Sequence, residues 1–149
     1  MNMLAKLKKN YSLRGLYFLY KEYLGIRTRS FGYIADNVTI TPPLLIEKPN
    51  NVFLGPNIGL GPHAHISAIN AKFICKGHCA IAEGFTVHTG NHARVVGMYV
   101  TDITEANKPK GYDKDVLIEE DVWIGADVTL LSGVTIVRAH FSAWSKAIA

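Results

Sequence analysis

The sequence "DVLIEEDVWIGADVTLLSGVTI", residues 115–136, has an aliphatic residue at every sixth position in two interleaved registers. The first register contains Ile118, Ile124, Leu130 and Ile136, and the second contains Val122, Val128 and Val134. An amphipathic helix needs apolar steps of three and four, and a half-buried strand needs steps of two. A sustained step of six fits short strands separated by tight corners, each unit forming one side of a coil. The period therefore predicts a β-solenoid, whose units are stable only when they stack on neighbours.

The same spacing recurs, with shifts of frame, between residues 34 and 87. Three runs carry it: Ile34, Ile40 and Ile46 with Val38 and Leu44; Leu54, Leu60 and Ile66 with Ile58 and Ala64; Cys75, Ile81 and Val87 with Cys79 and Phe85. Insertions at the corners of a coil would produce such shifts. An antiparallel sandwich of short strands is the alternative, but its alternation does not keep a six-residue step.

Two segments resemble the hexapeptide-repeat acyltransferases, which have a left-handed parallel β-helix. They are "HTGNHARVVG" (88–97) and "IEEDVWIGADVTLLSGVTI" (118–136), separated by a long loop. Over roughly residues 34–136 the chain is similar to sugar O-acetyltransferases of the maltose and galactoside type and to their polysaccharide-modifying relatives. Only the resemblance implies the left hand, because parallel crossovers are otherwise right-handed in about 98% of cases. We expect an all-β fold: a left-handed parallel β-helix solenoid of hexapeptide repeats with an N-terminal helix and a short non-repeat C-terminal tail.

The expected organisation has three parts. Residues 1–30 form a basic amphipathic helical cap, residues 31–136 form the β-helix with a loop at 90–116, and residues 137–149 form a tail outside the pattern. In the tail Val137, Phe141, Trp144 and Ile148 are spaced four, three and four apart. This spacing predicts a short helix, or at least a non-β segment, over 138–148 across the open end of the solenoid; a disordered remnant is the alternative.

The resemblance implies further hexapeptides after Ile136, which would complete the donor site. This chain continues instead with "VRAHFSAWSKAIA". We therefore expect acetyl-CoA to bind more weakly than in longer relatives, or not at all.

The first 30 residues have a strongly basic balance. They contain one acidic side chain, Glu22, and seven basic side chains: Lys6, Lys8, Lys9, Arg14, Lys21, Arg27 and Arg29. Leu13, Leu16, Tyr17, Tyr20 and Leu24 recur at helical spacing. One interpretation is a helix that covers the open end of the solenoid, and the other is peripheral attachment to anionic lipid. A nucleic-acid partner is not expected, because no stacking or groove-binding motif accompanies the charge.

The composition indicates one small domain. The chain has 149 residues, of which 48% are hydrophobic, enough for a core. No apolar run approaches the roughly 20 residues of a membrane-spanning helix, and no signal peptide is recognisable. Cys75 and Cys79 occupy inward positions and are expected to be buried structural thiols rather than a disulfide or a metal pair. We expect a cytoplasmic protein, with peripheral contact at the inner face of the membrane as the second interpretation.

The chemistry is expected where the repeat is interrupted, between Val87 and Leu117. Loops this long in a compact fold are usually functional or disordered. His92, in "TGNH" at the start of this loop, matches the catalytic histidine of the family. Acetyl transfer from a thioester to a hydroxyl needs a base for the hydroxyl proton, and a neutral imidazole suits that task. The resemblance implies acetyl-CoA as acyl donor, with no metal.

Several neighbouring residues are candidates for binding the acceptor. His88 shares a strand face with Gly90 and His92, so it would orient the base, touch the acceptor or simply be solvated. His65, like His63, is either structural or in contact with the acceptor. Asn91, next to His92, is predicted to bind substrate.

The "VWIG" segment contributes further candidates through the resemblance. Trp123 would point outward beside the catalytic cleft at a subunit contact, and is predicted to contact substrate. Gly125 and Ala126 match backbone positions that line the passage for the pantetheine arm, and Ser132 is predicted to bind the cofactor. The resemblance also implies a homotrimer, with each active site between two chains.

Three functions follow as alternatives. The first is an acetyl-CoA-dependent O-acetyltransferase acting on a sugar or polysaccharide-precursor hydroxyl, with His92 as general base. The second is a zinc hydratase on the same fold, as in the γ-class carbonic anhydrases, which would need three imidazoles converging across neighbouring chains. The third is a trimeric scaffold without catalytic activity. A bound-metal assay separates the first two, and coenzyme A affinity tests the third.

Overall fold

The structure, a computed structural model, describes residues 11–23, 30–138, 140–141 and 147–148. One α-helix, α1, spans Tyr11–Tyr23, and two 3-10 segments span Pro49–Asn51 and Val100–Asp102. The strands are β1 (Tyr33–Ile34), β2 (Thr39–Ile40), β3 (Leu44–Glu47), β4 (Val52–Leu54), β5 (Ile58–Leu60), β6 (Ala64–Ser67), β7 (Phe73–Cys75), β8 (Cys79–Ile81), β9 (Thr86–His88), β10 (Val116–Ile118), β11 (Trp123–Ile124), β12 (Thr129–Leu130), β13 (Thr135–Ile136), β14 (His140–Phe141) and β15 (Ala147–Ile148).

The strands form three parallel sheets, and successive strands along the chain enter successive sheets. The orders are β1-β4-β7-β10-β13, β2-β5-β8-β11-β14 and β3-β6-β9-β12-β15. Each coil therefore contributes one short strand to each sheet, and about five coils stack. The predicted left-handed parallel β-helix is confirmed. We refer below to the third of these orders, which carries β3, β6 and β9, as the third sheet.

The predicted inward registers form the core. Ile118 lies in register with Cys75 on one side and Ile136 on the other, so one apolar position repeats from coil to coil. Val122, Ile124, Val128 and Leu130 are all at most 2% exposed. Burying such a side chain stabilises a fold by about 1.5–3 kcal/mol. The six-residue spacing therefore identified the buried face correctly.

The corners leave little space between coils. At Gly55, which follows β4, an added Cβ would overlap the carbonyl oxygen of Lys76 in the next coil. The Gly55 N–H donates to the Cys75 carbonyl at 2.8 Å, which keeps the two backbones together. A side chain here would separate the coils, so this corner requires glycine.

The segment after Ile136 differs from the prediction. In place of a helix or another non-β segment over 138–148, the structure has β14 and β15, which pair in parallel with β11 and β12. Phe141 stands in register with Ile124, and Ile148 with Leu130. Six positions separate Ile124 from Leu130 and seven separate Phe141 from Ile148, so one extra residue in the sequence turned the six-residue step into a helix-like spacing. The helical interpretation is wrong, because backbone pairing on the previous coil decides the conformation of these strands.

The N-terminal segment contains α1, which lies beside β3. Its large apolar side chains remain substantially exposed, and they are Leu13, Leu16, Tyr17, Phe18, Leu19, Tyr20 and Tyr23. Leu24, expected in the same apolar stripe, lies outside the described residues. Within the ranges given above, no helix combines the length and apolarity needed to cross a membrane. Whether α1 serves as a cap stays a prediction.

The two cysteines are free and buried, as predicted. Cys75 ends β7 and Cys79 begins β8, so their side chains occupy inward positions on adjacent sheets. The long loop leaves the coil after β9 and returns at β10. We call residues 89–115 the catalytic-side loop, because the chemistry is expected there from the sequence. It emerges from the third sheet, which therefore carries the candidate site.

Candidate functional site

Two histidines lie on the outer face of the third sheet. His65 is on β6 and His88 is on β9, and their ring centroids are 5.5 Å apart in an edge-to-face arrangement. His65 Nε2 is 3.5 Å from Glu47 Oε2 on β3. That contact does not have hydrogen-bond geometry, and the solvent-shielded Nε2 has no hydrogen-bond partner among the described residues. Glu47, His65 and His88 thus form a staggered row across three adjacent coils, because His65 stands in register with Leu45 and Thr86.

The surroundings of His88 favour its neutral form. Burial lowers the pKa of the His88 imidazole most, and the neighbouring His65 lowers it further, while Glu47 acts in the opposite direction. The net pKa lies below the ordinary value of 6.5. His88 is therefore neutral near pH 7 and has one nitrogen that can accept a hydrogen bond and one that can donate.

Thr89 fixes both ends of the catalytic-side loop. Its side chain is fully buried, and its hydroxyl donates to the Ala71 carbonyl at 3.0 Å. Its N–H donates to the Ser67 carbonyl at 3.1 Å, and its own carbonyl accepts the Lys114 N–H at 3.1 Å. The loop therefore leaves the coil and rejoins it at the same point, with His92 three residues beyond Thr89.

His92 lines a cavity of about 460 Å³ between the third sheet and the loop. The sheet side presents Ser67 and His88, and the loop side presents Asn91, Ile103, Glu105 and Lys108. His92 is exposed, so its imidazole is accessible to a molecule in the cavity. Two imidazoles, a hydroxyl and amide groups beside apolar walls suit a polar molecule with hydroxyl groups.

The far wall of this cavity is held by a charged network. Asp113 Oδ1 accepts hydrogen bonds from Lys108 Nζ at 2.6 Å and from the Asn91 N–H at 2.8 Å. Asp113 Oδ2 accepts from Lys108 Nζ at 2.8 Å and from Asn70 Nδ2 at 3.1 Å. The Lys108 and Asp113 side chains are only 10% and 15% exposed. Sequence reasoning missed these residues, because no periodic rule relates Asn70 to a carboxylate 43 positions later.

A second cavity, of about 310 Å³, adjoins the end of the loop. It is lined by Asn91, Tyr112, Lys114 and Ser132 among others, so Asn91 borders both cavities. Ser132 Oγ accepts the Lys114 N–H at 2.9 Å and lies 3.3 Å from the Tyr112 carbonyl, to which it can donate. Ser132, predicted to bind the cofactor, therefore also fixes the returning end of the loop.

Trp123 lies apart from the two histidines. Its side chain is 48% exposed and borders a shallow groove of about 290 Å³ on the second sheet. Gly59 and Ala80 stand in register with Trp123 on the preceding coils, so the indole projects beside small residues. Gly125 and Ala126 follow directly in the corner after β11. Within one chain, the structure thus places Trp123 against a different groove from His92.

The remaining candidates also have defined places. His63 is exposed in the corner before β6, with a φ of 61°. Its N–H donates to the Pro43 carbonyl at 2.5 Å. His65 touches His88, which lines the cavity with His92. The structure therefore brings His65, His88, Asn91 and His92 to one region and leaves His63 at a corner.

No group of three or more His, Cys, Asp or Glu side chains within the described part of this single chain is arranged to hold a metal ion. The zinc-hydratase alternative rests on imidazoles from neighbouring chains. A metal assay on the purified protein therefore remains its test.

Comparison with known proteins gives a distant relative. No protein-family model matches the chain. A curated protein of Saccharomyces cerevisiae, "Putative acetyltransferase YJL218W", is 27% identical over 105 residues, covering 70% of this chain and 50% of that protein. The chain thus spans about half the length of this relative. This similarity and the left-handed β-helix fit a hexapeptide-repeat acyltransferase in general.

Proposed function

We propose that this protein is an acetyl-CoA-dependent O-acetyltransferase that acts on a hydroxyl of a sugar or polysaccharide precursor. The observation that carries the proposal is the cavity between the third sheet and the catalytic-side loop, which is bordered by His92 and by the neutral imidazole of His88. The general similarity to an acetyltransferase supports the reaction class. The polar side chains around the cavity support a hydroxylated acceptor.

In the proposed mechanism His92 is the general base. Its imidazole takes the proton from the acceptor hydroxyl as the oxygen attacks the thioester carbonyl carbon of acetyl-CoA. The tetrahedral intermediate then breaks its carbon–sulfur bond, and the coenzyme A thiolate takes the proton back from the imidazolium. Asn91 and His88 line the same cavity and are proposed to bind the acceptor, with His65 supporting His88 from β6.

The first test is His92→Ala, measured as thiol release from acetyl-CoA with a panel of methyl glycosides as acceptors. Loss of a general base lowers turnover by about 10²- to 10⁴-fold. His78→Asn is the matched control, because it removes an exposed imidazole from a corner on another side of the coil, where φ is 52° and asparagine is tolerated. A folded His92→Ala variant with wild-type turnover would contradict the assignment, and a wild-type protein that acetylates none of the glycosides would contradict the acceptor class.

The donor is proposed to bind near Trp123, Gly125, Ala126 and Ser132, at a contact between chains of a homotrimer. The half-exposed Trp123 supports a subunit contact, because burying a large aromatic side chain against a partner surface is favourable in free energy. The outer part of the catalytic-side loop also exposes Val96, Met98, Tyr99 and Val100. Light-scattering mass and calorimetric titration with coenzyme A test the two parts separately. A monomeric mass would contradict the homotrimer, and the absence of coenzyme A binding would contradict the donor site.

We also propose a cytoplasmic protein whose N-terminal segment makes peripheral contact with the membrane. The apolar exposure of α1 and the seven basic residues among the first 30 support this location. Sedimentation with vesicles containing a quarter phosphatidylserine, compared with purely zwitterionic vesicles, is the test. Equal partition into both, or into neither, would contradict an anionic-lipid contact.

A further inference from the structure

Asp113 connects three separated parts of the chain through one carboxylate. It accepts hydrogen bonds from Asn70 in the corner after β6, from the Asn91 N–H at the start of the catalytic-side loop, and from Lys108 in its later half. Asn91 is the residue immediately before His92. The same carboxylate that anchors the loop therefore holds the peptide group from which the proposed base extends.

Glu105 completes the network on its outer side. Its Oε2 accepts from Asn70 Nδ2 at 2.7 Å, and its Oε1 lies 3.7 Å from Lys108 Nζ. Glu105 is 70% exposed, whereas Lys108 and Asp113 are largely shielded from solvent. Because solvent screening weakens the exposed contact between Lys108 and Glu105, the ion pair between Lys108 and Asp113 is the stronger of the two.

The balance of effects keeps Asp113 ionised. Burial alone would raise the pKa of its carboxyl, but the hydrogen bonds from Lys108, Asn91 and Asn70 outweigh burial and bring the pKa below the ordinary value. An ionised carboxylate accepts hydrogen bonds on both oxygens, and charge-assisted bonds are short and strong. The Asn91 N–H therefore has a fixed acceptor across the neutral pH range.

We propose that Asp113 is a positioning residue for His92: by holding the Asn91 N–H at 2.8 Å, it sets where the imidazole enters the cavity. This inference rests on the proposed role of His92 as general base. A base displaced by about 1 Å loses about 10²-fold in rate, because proton transfer needs hydrogen-bond contact with the acceptor hydroxyl. Asp113 would act on turnover without touching substrate.

The test compares Asp113→Ala, Asp113→Asn and Asp115→Asn in thiol release from acetyl-CoA, with the methyl glycoside that the wild-type protein turns over fastest. Asp113→Ala removes the carboxylate that accepts from Asn91, Asn70 and Lys108, and it is expected to lower kcat by about 10- to 100-fold. KM should change less than kcat, and only as far as the Asn91 side chain moves with its peptide group. Asp113→Asn keeps a carbonyl oxygen facing the Asn91 N–H and is expected to lose less. Asp115 is the matched control, because its carboxylate accepts the Lys72 N–H at 2.8 Å at the same end of the loop.

A double-mutant cycle separates positioning from general support of the loop. In a His92→Ala background, Asp113→Ala should cost no further turnover, because the group that it positions is already absent. A loss of the same size in both backgrounds, or wild-type kcat in Asp113→Ala, would overturn the inference. If the Asp113→Ala variant is unfolded under the assay conditions, Asp113→Asn replaces it in the same double-mutant cycle. A His92→Ala variant with full activity would instead overturn the proposed function, so the two failures are distinguishable.

Discussion

The regular coils and the catalytic-side loop are stabilised by different interactions. In the coils, apolar side chains at fixed positions stack on one another, as Ile118 does between Cys75 and Ile136. In the loop the large apolar side chains of Val96, Met98, Tyr99 and Val100 are exposed. The loop is instead held at its two ends by hydrogen bonds and by the shielded Lys108–Asp113 pair.

This difference separates stability from specificity. The coils provide a rigid wall that carries His65 and His88, while the loop brings His92, Asn91 and Lys108 to the opposite side of the cavity. When a loop is held by a few polar contacts, its exposed residues can be substituted without disturbing the apolar core. Under the proposed function, we infer that the loop can vary the choice of acceptor beside a fixed His88, whereas the coils determine the fold.

The largest effect is expected from a charge placed in the coils. Val128 is fully buried, so Val128→Asp would place an unpaired carboxylate among stacked aliphatic side chains and destabilise the fold by several kcal/mol. Since domains are stable by only about 5–15 kcal/mol, this loss removes a large part of the free energy of unfolding, and the melting temperature should fall sharply. Thermal melting followed by circular dichroism is the measurement. Thr135→Asp is the control, because Thr135 is exposed on β13 and should leave melting nearly unchanged.

The sequence was sufficient to predict the coils because their inward positions accept only apolar residues. Val122, Ile124, Val128 and Leu130 repeat at a spacing that no helix or isolated strand sustains. The conformation of the tail was predicted wrongly for a local reason. One extra residue between Phe141 and Ile148 broke the step, although both stand in register with the coil before them.

The site was only partly predictable. The resemblance located His92 and its neighbours on the chain, but it carried no information about which loop residues face them. The bonds from Asn70 to Glu105 and Asp113 span 35 and 43 positions and follow no spacing rule. Such contacts depend on how the loop folds back across the coil, which the spacing of apolar residues does not describe.

A smaller effect is expected where the loop meets the coil. Ser132→Ala removes one of the two acceptors of the Lys114 N–H, which keeps its bond to the Thr89 carbonyl at 3.1 Å, and should destabilise the returning end of the loop by about 0.5–1.5 kcal/mol. Lys114 is exposed and water can replace the hydroxyl, so global melting should hardly change. Hydrogen exchange at the Lys114 amide is the local measurement and should accelerate by about 2- to 10-fold. Unchanged exchange there would show that Ser132 does not stabilise this end; Thr135→Ala, outside the loop, is the control.

The smallest effect concerns pH and the row of Glu47, His65 and His88. The folded protein lowers the pKa of His88, chiefly by burial and then through His65, so the folded state resists protonation. As pH falls through the ordinary value of about 6.5, the unfolded chain takes up a proton that the folded chain does not. The contribution of His88 to stability is therefore fully present above that pH and declines below it, until the lowered pKa of the folded state is reached. His88→Asn should remove this component and flatten the decline in the free energy of unfolding, measured by urea denaturation between about pH 7 and pH 5. His78→Asn controls for the loss of one imidazole, and an unaltered decline in His88→Asn would mean that the folded protein does not resist protonation of His88.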